Sequence, residues 1–305
     1  MKTIFILIFT STILISCQSQ QSQLFLNLEK GKEYRQSINS KATIIQDING
    51  QKINIVMTIK GVLTFEVKSI TNSGYSMNTK YDKLSMSMQM PQGEMEFSSE
   101  NNDPNDIFSN IFSAMTNENF ELTMSKTGKI TELKNIEVLW ETAINKFEQL
   151  NEMQKEQIRA QIMNAYGAEA LKGNIEMVTA IYPDKTVSKG DVWTINTKLE
   201  SGMSSKMTTE YEFVESTSEY VLIKGNSKIE TEDKDAYIET NGMPMRYDLS
   251  GSMISDIKID KNSGWIIKAD INQEIKGDAY IKENPQMPNG MKIPMTMINE
   301  MTITN

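Results

Sequence analysis

Between Ile53 and Val67 the chain places apolar residues at every second position with mostly polar ones between, and that run limits what it can fold into. Ile53, Ile55, Met57, Ile59, Leu63, Phe65 and Val67 occupy odd positions, with Gly61 among them. Asn54, Thr58, Lys60, Thr64 and Glu66 fill most of the even ones. A period of two predicts a half-buried antiparallel strand, not a helix. At roughly 3.3 Å per residue the strand would approach 50 Å in length, so Gly61 is expected to mark a bend or bulge. Asp47 to Gly50 and Asn72 to Gly74 read as the turns on either side. The next strand carries Tyr75, Met77, Thr79 and Tyr81, then changes phase to Leu84, Met86, Met88 and Met90. A bulge near Asp82 and Lys83 would account for the change.

The middle of the chain has helical spacing. Asp103, with Pro104 in the first turn, is expected to cap a short helix carrying Ile107, Phe108, Ile111, Phe112 and Met115. Asn135 would cap a second, with Trp140, Ile144 and Phe147 on one face. Good helix formers run on from Glu152 to about Lys172, interrupted by Gly167. From Val187 the alternation returns, and Pro294 suggests that the last strand lies at a sheet edge. The expected fold is therefore α+β, mainly antiparallel β. A long curved sheet, half-barrel-like, would cover a central helical insert.

An internal duplication is expected. Lys30-Gly31-Lys32-Glu33-Tyr34 echoes Lys189-Gly190-Asp191-Val192-Trp193, and Thr64 to Ser69 echoes Tyr211 to Ser216. Tyr75 then matches Tyr220, and the turn Ser125 to Ile130 matches Lys261 to Ile266. The organisation read from this is one domain over 24–305. A first β-rich copy spans 24–134, a helical insert 135–178 and a second copy 185–305.

The first 17 residues form a separate signal. Lys2 is followed by an apolar run and by Leu14-Ile15-Ser16-Cys17, too short to span a membrane. This resembles the lipobox of bacterial lipoproteins. The resemblance implies that Cys17 is acylated and becomes the mature N-terminus, anchored to a cell-envelope membrane by its acyl chains. Cys17 is the only cysteine, so no internal disulfide competes for it. Residues 18–23 form a polar tether of about 20 Å at most. By the sorting habits of such lipoproteins, Gln18 in place of an acidic residue implies the outer membrane.

Composition removes several functions. The chain has no histidine, which excludes Ser-His-Asp and Cys-His nucleophiles and makes zinc sites improbable. A net charge of −9 argues against nucleic acid and against electrostatic attachment to anionic lipid. No cofactor or metal is expected. The acidic run Glu230, Glu232, Asp233, Asp235 lacks the spacing of a calcium loop, and no pair of carboxylates has a catalytic motif around it. The 22 methionines suit an apolar core or an adaptable apolar lining.

The leading expectation is a non-catalytic lipoprotein that binds an apolar ligand, a lipid or acyl chain, in a cavity lined by Phe65, Met86, Met88, Phe108, Phe112 and Trp140. The alternative is an interaction lipoprotein that docks an envelope protein partner. In architecture the chain resembles the half-barrels of bacterial lipoprotein carriers and receptors. In its K-G-x-x-aromatic strand openings it resembles envelope lipoproteins of similar length, a family that implies no established activity.

Overall fold

The computed structural model describes residues 22–116, 118–147, 150–200, 203–240, 242–285 and 287–305. Cys17, the lipobox and the tether up to residue 21 lie outside the described residues.

One 13-stranded antiparallel sheet organises the molecule. The strands are β1 (Glu33–Ile48), β2 (Gln51–Ile70), β3 (Gly74–Met90), β4 (Gly93–Ser98), β5 (Phe120–Ser125) and β6 (Ile130–Lys134), then β7 (Val192–Glu200), β8 (Ser204–Ser216), β9 (Tyr220–Thr231), β10 (Ile238–Thr240), β11 (Met243–Asp260), β12 (Ile266–Ile281) and β13 (Met291–Thr304). Their order is β6-β5-β3-β2-β1-β13-β12-β11-β9-β8-β7, with β4 beside β3 and β10 beside β11. The order repeats. Strands 1, 2, 3, 5 and 6 are laid out like strands 7, 8, 9, 11 and 12, and β13 joins the two sets.

Local bonds repeat too. The Gly31 N–H donates to the Val67 carbonyl at 2.8 Å, and the Gly190 N–H donates to the Phe213 carbonyl at 2.7 Å. Thr71 and Thr217 head matching turns, each accepting through its hydroxyl from the N–H three residues on, at Gly74 and Tyr220. These bonds correct the sequence alignment by one residue. Phe65, not Thr64, corresponds to Tyr211, because each faces the opening aromatic of its copy, Tyr34 or Trp193. Likewise Gly74, not Tyr75, corresponds to Tyr220. In a strand a slip of one residue exchanges the faces, so only the structural register keeps both aromatics inside.

Two further expectations are corrected. β13 is not an edge strand; it pairs with β1 on one side and β12 on the other. Pro294 is accommodated because the β1 ladder ends at Met295. The first helix, α1 (Ile107–Met115), is capped by Asp106, not Asp103. The Asp106 carboxylate accepts from the Ser109 N–H at 3.0 Å and from the Ser109 hydroxyl at 2.6 Å. The phase change in β3 occurs where expected: Val62 faces Lys83 and Leu63 faces Tyr81, leaving Asp82 as the extra residue.

Helix α2 (Ile136–Asn145) follows β6, and Gly167 separates α3 (Glu152–Tyr166) from α4 (Ala168–Thr179). Helix α4 touches both edge strands of the sheet, β6 and β7. The sheet is therefore curled, and α4 stands in the seam. The Glu176 carboxylate accepts the β6 Ile130 N–H at 2.6 Å, and a Cβ on Gly173 would sit 3.1 Å from the β7 carbonyl of Lys198.

Two hairpins close the end at which β1 and β7 begin. A Cβ on Gly128 would lie 1.7 Å from the Thr179 carbonyl oxygen, and one on Gly264 would lie 2.3 Å from that of Phe25. Both glycines have positive φ, 81° and 70°. Only glycine allows the incoming backbone to pass this close. Those incoming segments precede β1 and β7, and they meet at Ser22 and Val187, which exchange two backbone hydrogen bonds.

Candidate ligand-binding face

The inner face of the sheet is covered unequally. In the second copy almost every inward residue is buried: Met207, Tyr211 and Phe213 on β8, Ile223 and Ile229 on β9, and Leu249, Met253 and Ile257 on β11. Small residues let this wall close. The Thr209 and Ser227 hydroxyls bond at 2.8 Å. The Tyr211 ring lies over Gly225, where a Cβ would come within 2.8 Å of it, and burial pushes its phenol up to about 12.

The first copy differs along the half of its strands away from that closed end. Ile44 on β1, Ile55, Met57 and Ile59 on β2, and Met86 and Met88 on β3 all point inward and remain half-buried. The register places Met88 beside Met57, Met57 beside Ala42, and Ile55 beside Ile44, which faces Met297 of β13. With neighbouring strands about 4.8 Å apart, this is one continuous methionine and isoleucine surface. Helix α1 packs on β3 and β4 and covers one margin of it. At the far end lies a second small core, where Met245, Ala279, Ile281 and Ile293 pack with Met243, Met287, Met291 and Met295.

The six expected lining residues fall into separate places. Phe65 is wholly buried and meets the Trp265 ring edge-on at 5.3 Å. Phe112 and Trp140 are also core residues, and the Trp140 indole donates to the Tyr166 carbonyl at 3.1 Å. Phe108 is half-buried against Phe97, with ring centroids 5.0 Å apart. Met86 and Met88 alone belong to the half-buried band. The sequence had shown the period of Ile44, Ile55 and Met57, but not that their face goes uncovered. The other two tryptophans are core residues as well: Trp193 donates to the Ile181 carbonyl and Trp265 to the Arg35 carbonyl, each at 2.9 Å.

Three shallow grooves lie elsewhere. One of about 390 Å³ runs along the outer face between Val192, Glu212, Lys224, Ile254 and Asp270. Another, of about 400 Å³, crosses the outer face of β1 to β4. The third, of about 520 Å³, follows the exposed side of α2. None of the six expected residues lines any of them.

Polar groups inside the sheet are few. Gln36 Nε2, Thr79 Oγ1 and Ser255 Oγ are buried without a hydrogen-bond partner among the described residues. Asp82 is tied across three strands. Burial opposes its charge, but the Thr64 hydroxyl at 2.6 Å, Arg35 at 2.8 Å and Lys80 at 3.3 Å outweigh it and hold its pKa below the ordinary 3.8. The acidic run forms a surface hairpin in which Glu232 pairs with Lys198 at 3.2 Å and Lys206 at 3.6 Å. Among the described residues no group of three or more His, Cys, Asp or Glu is placed to hold a metal ion. No described helix is long and apolar enough to cross a membrane.

The architecture defines a class: a duplicated antiparallel sheet, curled around a helix-filled interior, with one wall sealed and the other half open. The chain belongs to a family of unknown function, DUF6263, whose profile matches residues 72–266. No curated protein matches it. A solved structure described as lipid-protein interactions in lipovitellin shares the fold, with a TM-score of 0.50 and 9% identity over 91% of this chain. This chain corresponds to only 25% of that longer one. The COG4313 outer membrane channel from Pseudomonas putida F1 aligns with a TM-score of 0.27 and 8% identity, covering 92% of this chain and 97% of its own.

Proposed function

We propose that this chain is a non-catalytic, lipid-anchored protein of a bacterial envelope that holds an apolar ligand, a lipid or acyl chain, against the inner face of β1, β2 and β3. The half-buried band of Ile44, Ile55, Met57, Ile59, Met86 and Met88 carries the reading. A continuous apolar surface left partly open inside a curled sheet gains free energy when another apolar group covers it, about 25 cal/mol per Å². Methionine adapts to chains of varied shape. The likeness to the lipovitellin structure supports the reading as an analogy of fold, and Leu14 to Cys17 supports the anchor. Cofactor and metal have no part in it.

Native mass spectrometry of the purified chain tests the proposal. A non-covalent added mass that leaves on denaturation and extracts as lipid is the expected result. A bare chain that also fails to brighten a fluorescent fatty acid would rule the reading out. A second reading, docking of an envelope protein on the outer face, is favoured by Ile254 and Val192. These are 57% and 50% exposed beside the outer groove. It predicts that Ile254→Asp abolishes capture of one reproducible envelope protein while fatty-acid binding is unchanged.

A further inference from the structure

We infer that the ligand held on the open band has an uncharged polar head, an acyl ester or amide in place of a free carboxylate, and that Asn299 and Gln273 receive it. The inference rests on the apolar-ligand reading above and narrows it to a chemical class. Cross-strand register puts the methionines and two amides in one row. Met88 of β3 pairs with Met57 of β2, Met57 with Ala42 of β1, Ala42 with Asn299 of β13, and Asn299 with Gln273 of β12. All five belong to the inward set and are half-buried. Ala42 alone separates the amides from the methionines, so Asn299 stands about 10 Å from Met57, two strand spacings away. Beyond Gln273 the row meets Met253, which is buried in the sealed wall. The amides therefore mark the border between the open band and that wall.

These amides have hydrogen bonds to give. The Ser40 hydroxyl donates to Asn299 Oδ1 at 2.8 Å. The Asn299 Nδ2 hydrogens and the Gln273 amide have no partner among the described residues. Gln36, four residues from Ser40 on the same inward column of β1, is 2% exposed, and its Nε2 has no partner either. Amide donors beside an apolar surface are best met by an acceptor that arrives with an apolar chain of its own.

Charge is kept off this face. On all thirteen strands the Lys, Arg, Asp and Glu residues fall at outward register positions. Helix α1, which covers one margin of the band, has no charged residue between Ile107 and Met115. Lys172 and Glu176 stand on α4, in the seam between β6 and β7. Helix α3 packs on α2 and α4, and its half-buried Lys155 and Arg159 are paired with Glu152 at 3.4 Å and Glu141 at 2.5 Å. A carboxylate drawn into the row of Asn299 would lose hydration and meet no cation to offset the loss. An ester or amide carbonyl needs only the hydrogen bond that Asn299 can donate.

The test is equilibrium dialysis of the purified full chain against radiolabelled monolauroylglycerol or laurate, which share one acyl chain and differ in the charge of the head. Both are used below their micelle concentrations at about pH 8, where the carboxyl is ionised. The glyceride is expected to bind at least about tenfold more tightly than the free acid. Asn299→Leu/Gln273→Leu should shrink that preference to under about threefold by weakening the glyceride alone, with an unchanged melting temperature. Gln273→Lys supplies a cation beside Asn299 and should tighten laurate at least about fivefold, a gain that misfolding would not produce. Equal affinities in the unmodified chain, or tighter binding of laurate, would overturn the inference and leave the apolar-ligand reading in place. A preference that survives in the double variant would overturn the assignment to Asn299 and Gln273. Binding of neither ligand would refute the apolar-ligand reading, and this inference with it.

Discussion

The two copies share a strand order and a set of turn bonds, yet only one has a sealed interior. The second copy lines its inner wall with Thr209, Gly225, Ser227 and Ser255 between larger residues, and the opposing groups pack down onto it. The first copy places Ile55, Met57, Ile59, Met86 and Met88 at inward positions and leaves them half-buried. The difference lies in strand length: Leu63, Thr79 and Tyr81 stand where Thr209, Gly225 and Ser227 stand and are as buried, whereas the open band lies mostly on the stretch by which β2 and β3 outrun β8 and β9. Rows of methionine and isoleucine on that stretch need a filler of their own shape. Alternation fixes which side chains face inward; what lies above them decides whether that face is core or site.

Truncation should separate the copies most sharply. Phe213→Ala, in the sealed copy, is expected to cost about 3–5 kcal/mol and Met207→Ala about 2–5 kcal/mol in urea unfolding. Met57→Ala, on the corresponding strand β2, should cost under about 1 kcal/mol because its side chain is already partly in water. Equal losses at Met207 and Met57 would mean that the first copy is sealed as well.

Next in size is the hairpin pair. Gly128→Ala and Gly264→Ala should each lower stability by about 3 kcal/mol or more, since each adds a Cβ inside contact distance of a backbone carbonyl in a left-handed conformation. A mild effect at one of them would show that the incoming segments are held differently in the two copies.

Ligand binding should follow the open copy alone. Met88→Glu is expected to weaken binding of a fluorescent fatty acid at least tenfold, about 1.4 kcal/mol, with little change in melting temperature. Ile223→Val, buried in the sealed copy, should cost about 1 kcal/mol of stability and leave the binding constant alone.

The smallest effect concerns acid. The Asp82 pKa is held below its ordinary 3.8 in the folded chain. Its contribution is therefore present above that value and disappears as pH falls through the lower, folded one. Asp82→Asn should remove this part of the acid sensitivity, under about 1 kcal/mol because its cationic partners are exposed. An unchanged stability profile below pH 4 in Asp82→Asn would show that the three-strand tie contributes nothing.

Much of this was legible in the sequence, for physical reasons that can be named. Period-two alternation set the long strands, the phase change at Asp82 set a bulge, and Gly167 set the break between α3 and α4. Pro294 misled because a proline reports only the loss of one donor; it sits where the β1 ladder has already ended, inside the most central pairing of the sheet. Asp103 and Asp106 offer equivalent capping chemistry, and the choice rests on the Ser109 contacts. The lining residues were hardest to place. Phe65, Phe112 and Trp140 have the same apolar character as Met86 and Met88, and only the positions of the helices and of Trp265 decide which become core.

The most direct test is to crosslink the bound ligand in place. The chain would be loaded with a photoactivatable fatty acid, irradiated and digested, and the modified peptides identified. Crosslinks at Met57, Met86, Met88 or their neighbours on β1 to β3, suppressed by unlabelled fatty acid, are the predicted outcome. Crosslinks confined to the outer face or to β7–β9, or none at saturating probe, would contradict the claim that the open copy is the binding site.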